Sequence, residues 1–67
     1  MDIRRRLRLN IQRLRREKGW SQEELADRAG LHRTYVSGIE RGVRNPTITI
    51  VEKLAMTLGA TIGDIAG

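Results

Sequence analysis

Ile3, Leu7, Ile11 and Leu14 recur at steps of four, four and three residues, which places them on one face of a helix. The spacing predicts a first helix from about Ile3 to Lys18, with arginines on its other faces and Leu9 left outside the stripe. Gly19 suits a helix end, where a left-handed residue is favoured, and Lys18 complements the dipole there. Ser21 then reads as an N-cap, with Glu24 three residues on to complete a capping box. Trp20 and Leu25 are placed for a hydrophobic staple across that cap. Leu25, Ala26 and Ala29 give the second helix its buried stripe before Gly30 stops it. A third helix starts near His32 or Arg33, turns Val36 and Ile39 inward with Tyr35 at the margin, and ends at Gly42. Two short helices spaced this tightly must cross steeply. Asn45-Pro46 is expected to open a fourth helix, since proline is tolerated in a first turn. Ile50, Val51, Leu54 and Leu58 line its face, and Gly59 ends it. A last short helix, Thr61 to about Ala66, presents Ile62 and Ile65. The expected fold is all-α: five helices with short connections and no strand, in a single domain over 1–67.

Composition narrows what such a bundle can be. A chain of 67 residues buries only about 60% of its unfolded surface. It has no cysteine and one histidine, His32, which excludes disulfides, thiolate-held zinc and a histidine-rich metal site. No metal and no cofactor are expected. With no Phe, one Trp and one Tyr the core is aliphatic, and dimer contacts are a common supplement in domains this small. No apolar run approaches the roughly 18 residues of a membrane span. The basic start is followed by no apolar stretch, so it does not read as a signal peptide. The expectation is a cytoplasmic protein with no membrane partner.

The net charge is +5, and a basic balance points to a polyanion. The excess is not spread evenly. Residues 1–18 hold eight basic and two acidic side chains, and the rest of the chain holds five and six. Three readings of Arg4, Arg5, Arg6 and Arg8 stand open: a solvated helix face, an arm on phosphates, or a membrane-surface helix.

The third helix carries the candidate chemistry. At about 100° per residue, Val36, Ile39 and Tyr35 share one half of it. Arg33, Thr34, Ser37, Gly38 and Arg41 share the other. Short side chains and few acids on an outward face allow close approach to base edges. An arginine at its start can bond O6 and N7 of guanine with both arms, and threonine offers a hydroxyl and a methyl. On an ordinary exposed helix the same residues would be merely solvated.

Gln22 to Ile39 resembles the helix-turn-helix of the phage repressor and Cro family. Leu25, Ala26, Ala29, Gly30, Leu31, Val36 and Ile39 stand at that motif's apolar, small and glycine positions. The flanks match as well: Asn10-Ile11 with Leu14-Arg15, then Gly19 to Ala26, Ser37 to Gly42, Asn45-Pro46, and Leu54-Ala55 with Leu58-Gly59. The resemblance spans about Leu7 to Ile65. Arg33 to Gly42 also resembles the controller proteins of restriction–modification systems.

The resemblance implies a transcriptional regulator that binds double-stranded DNA, as a homodimer on a palindromic operator. It implies base contacts from Arg33, Thr34, Ser37 and Gly38. Phosphate contacts fall to Gln22, His32, Arg41, Arg44 and Asn45. Arg15 and Glu40 match an internal ion pair. Ile62 and Ile65 are candidates for the dimer interface. An antitoxin or adaptor with a protein partner is a second reading, and the DNA-binding part of a longer chain is another. An enzyme is not expected, because the sequence holds no nucleophile–base pair, metal cluster or phosphate loop.

Overall fold

The computed structural model describes residues 3–67, so the first two residues of the expected 1–67 domain lie outside the described residues. Five helices follow one another: α1 (Ile3–Glu17), α2 (Gln22–Ala29), α3 (Arg33–Glu40), α4 (Ile48–Leu58) and α5 (Ile62–Ala66). No strand occurs among the described residues. α1 packs against α3 and α5, and α2 packs against α3 and α4.

Each helix sends at least one fully buried aliphatic side chain to a common centre. Ile11, Leu25, Val36 and Ile39, Leu54, and Ile65 meet there with almost no exposure. Each is worth roughly 1.5–3 kcal/mol on burial. Ala26 and Ala29, both buried, keep the α2 side of the α2–α3 contact thin. Leu7, Leu14, Trp20, Leu31, Tyr35 and Ile50 close the rim of this core. The ring of Trp20 is flanked by two cations, with Arg28 at 4.4 Å and Lys18 at 5.7 Å from its centroid.

The ends of the helices follow local chemistry, with three departures from expectation. Gly30 and Gly59 end α2 and α4 in the left-handed conformation, φ 69° and 68°. Ser21 Oγ accepts from the Glu24 N–H at 3.0 Å, but the Glu24 carboxylate turns to Arg28 at 2.8 Å. Only half of the expected capping box therefore forms. α4 begins at Ile48, two residues later than Asn45-Pro46 suggested, because the Thr47 hydroxyl caps it by accepting from the Ile50 N–H. The complete box lies on α5, where Thr61 Oγ1 accepts from the Asp64 N–H and Asp64 Oδ2 accepts from the Thr61 N–H. Those bonds, the Thr61 backbone N–H foremost, hold the Asp64 carboxyl below the usual aspartate range.

Ile65 is fully buried, at 0% exposure. It belongs to the core, and Asn10 Nδ2 donates to its carbonyl at 2.7 Å, joining α1 to α5. Of the two isoleucines expected at a dimer interface, only Ile62 reaches the surface, at 37%. α1 also carries a local cost. Its first turn has no acidic residue and three arginines, the wrong charge for the positive end of a helix dipole.

Candidate nucleic-acid interface

α3 presents its start and one flank outward. His32 is its N-cap residue and makes no side-chain cap bond. His32, Arg33 and Thr34 are exposed, and Ser37 is half-buried one turn on. The opposite flank, Val36 and Ile39, is pinned in the core. The exposed flank therefore has one orientation relative to the body of the protein.

Gly38 lies elsewhere than its expected role required. It is buried, because the side chain of Arg44 lies across it. A Cβ at Gly38 would stand 3.0 Å from both Cγ and Cδ of Arg44. The loop is drawn over the helix by two bonds to the Gly38 carbonyl, from the N–H of Val43 at 3.0 Å and of Arg44 at 3.1 Å. The Arg44 guanidinium then sits 5.6 Å from the centroid of the Tyr35 ring. The missing side chain at position 38 makes room for an arginine arriving from the next loop, and no backbone is left open there. Composition hinted at the gap, but only the fold reveals what fills it.

Arg41 and Asn45 are exposed on either side of this crossing, so the turn after α3 displays Arg41, Arg44 and Asn45 together. Gln22, at the start of α2, is half-buried. Its Nε2 donates to Glu40 Oε1 at 3.0 Å, which fixes the amide beside α3 and leaves a second N–H on the same nitrogen.

Glu40 is the hub behind the interface. Its side chain is 1% exposed and that of Arg15 is 10%. Arg15 Nε donates to Oε2 at 2.7 Å and Nη2 donates to Oε1 at 3.0 Å. The third Arg15 nitrogen, Nη1, donates to the Trp20 carbonyl at 2.8 Å. Gln12 Nε2 reaches Oε1 at 3.5 Å, and Arg8 Nη1 donates to the Glu40 carbonyl at 3.3 Å. The pairing of Arg15 with Glu40 is the one that the family resemblance implied. The contributions of Gln12 and Arg8 carried no signal there, since both lie on α1 among many polar residues.

Among the described residues no group of three or more His, Cys, Asp or Glu could hold a metal ion. No helix among them is long and apolar enough to cross a membrane.

Known proteins align with this arrangement. The Helix-turn-helix family model matches residues 11–65. An uncharacterized HTH-type transcriptional regulator, y4dJ of Sinorhizobium fredii, is 48% identical over 61 residues, covering 91% of this chain and 79% of that protein. Control protein C.SmaI of Serratia marcescens is 40% identical over 62 residues, covering 92% and 74%. Among solved structures, the master regulator of biofilm formation SinR in complex with DNA superposes with a TM-score of 0.86 at 35% identity, covering 91% of this chain and 98% of that one. A family match over most of the chain, carried on a two-helix unit whose second helix faces outward, leads to one conclusion: the protein belongs to the helix-turn-helix family of DNA-binding transcriptional regulators.

Proposed function

We propose that residues 1–67 act as one DNA-binding domain that pairs with a second copy and reads a palindromic operator, with one α3 in each of two successive major grooves. Such half-sites lie about 34 Å apart. The observation that carries this reading is the exposed start of α3, with Arg33 and Thr34 outward while Val36 and Ile39 are locked in the core. The likeness to SinR, a structure solved with DNA, supports it.

Arg33 reads a guanine through a two-pronged hydrogen bond, and Thr34 and Ser37 contact neighbouring base edges. Gln22, His32, Arg41, Arg44 and Asn45 grip phosphates and set the register. Gly38 contributes the space that Arg44 occupies, and no contact of its own. Ile62 belongs to the dimer interface, and Ile65 supports it from the core. The protein acts as a regulator of which promoters are used and not as an enzyme, and it does so in the cytoplasm.

Selection of bound sequences from random duplex DNA at fixed salt tests the reading, with sedimentation of the complex alongside. The expected result is a two-fold symmetric site with half-sites one helical turn apart, bound by two chains. An asymmetric single half-site, or no enriched sequence, would count against it.

A further inference from the structure

α1 runs its arginine-rich start along the same groove that the turn after α3 borders. This groove, about 580 Å³, lies between α1, the α3–α4 turn, α4 and α5. Arg4, Arg5 and Arg8 enter it from α1, and Arg41 and Arg44 from the other side. Among the described residues no acidic side chain lines it. Arg8 marks where the two sides join. Its Nη1 donates to the Glu40 carbonyl, and its Nε would stand 3.1 Å from a Cβ at Gly42. Gly42 has φ +79° and no side chain, so the arginine of α1 lies directly on the turn that carries Arg41. Arg5 is exposed and has no acidic partner among the described residues.

From this continuity we infer that Arg5 and Arg8 extend the phosphate-binding surface of the turn, so that the start of α1 grips the DNA backbone next to the stretch held by Arg41, Arg44 and Asn45. The inference rests on the DNA-binding reading above and adds a second element to it. The ligand is a run of phosphodiesters, recognised by charge and spacing without regard to sequence. The second copy that pairs through Ile62 meets the apolar floor of this groove, while like charge holds it off the arginine rim, which stays open to phosphates. A bilayer is a poor occupant, because Leu7 and Ile11, which would have to enter it, are packed in or against the core.

The test is the salt dependence of binding to a long duplex carrying the selected operator, and to one of random sequence. Arg5→Gln is expected to lower the slope of log K against log salt by about 0.9 for each phosphate that is no longer neutralised. The advantage of the wild type then shrinks about 3.5-fold per phosphate between 50 and 200 mM salt. Both duplexes lose affinity by the same factor, and Arg5→Lys restores the slope. Lys53→Gln removes an equal charge from α4, away from the groove, and leaves the slope unchanged.

Wild-type slope and affinity in Arg5→Gln overturn the inference, as does an equal effect from Lys53→Gln. A loss confined to the operator duplex overturns it as well, because that would signal base reading. If the wild-type protein binds neither duplex, the DNA-binding reading falls and takes this one with it. If it binds both and Arg5→Gln titrates identically, only the role of α1 falls.

Discussion

Arg15 and Glu40, 25 residues apart in sequence, meet in a two-point ion pair at 2.7 and 3.0 Å that is almost wholly withdrawn from water. One belongs to α1 and the other to the last turn of α3, so the pair sets α3 against the body of the protein. Removing one partner leaves a buried charge without its counter-charge. Arg15→Ala is expected to cost about 3–5 kcal/mol, read as a lower midpoint in urea. Replacing both with apolar residues of similar size, Arg15→Met with Glu40→Leu, is expected to recover much of that loss. A single substitution costing under about 1 kcal/mol, the range of exposed pairs, would show that water reaches the site.

Arg33 is exposed at the start of α3. Arg33→Ala is expected to leave folding intact and to lower discrimination at one base pair by about 1–3 kcal/mol. Competition between operator duplexes differing at single positions measures this. Unchanged preference at every position would remove Arg33 from the base-reading set.

Gly38→Ala sets two effects against each other. Alanine favours the helix by roughly 0.5–1 kcal/mol. Its methyl also meets the Arg44 stem at 3.0 Å and must push that chain aside. The expected outcome is a stability equal to or slightly above wild type, with weaker DNA binding. Thermal melting and a binding titration on the same variant check the combination. Undiminished binding would mean that the placement of Arg44 over α3 is irrelevant to the complex.

Asp64 gives the acid limb a defined sign. Its carboxyl titrates below the usual aspartate range in the folded protein, through its bonds to Thr61. Its contribution is therefore complete above the unfolded value of about 3.9 and is lost as pH falls through the lower folded value. Asp64→Asn is expected to be less stable than wild type at pH 5, with the gap closing towards pH 2. Urea midpoints across that range test it, and a gap independent of pH would contradict the capping role.

The helices are legible where periodicity and caps coincide. Ile11, Leu25, Val36, Ile39 and Leu54 are all core residues on stripes visible in the sequence. The start of α4 is harder to place because Pro46 and Thr47 are both starting signals, and the choice between them depends on where the Thr47 hydroxyl points. Ile62 and Ile65 are equally apolar letters on a five-residue helix, too short for periodicity to separate surface from core. On the interface, Arg33 and Thr34 can be placed outward by angle alone. The crossing of Arg44 over Gly38 cannot, since it depends on the path of a loop with no periodic pattern.

The single tryptophan has a use that follows from its surroundings. Its ring lies between Arg28 and Lys18, while its carbonyl accepts from the arginine that holds Glu40. Its emission is therefore expected to change when that junction opens. Set beside the helical signal, it is expected to act as an optical gauge in an unlabelled sample: a change in emission that precedes loss of helix would mark loosening of the α1–α3 joint before the whole chain melts.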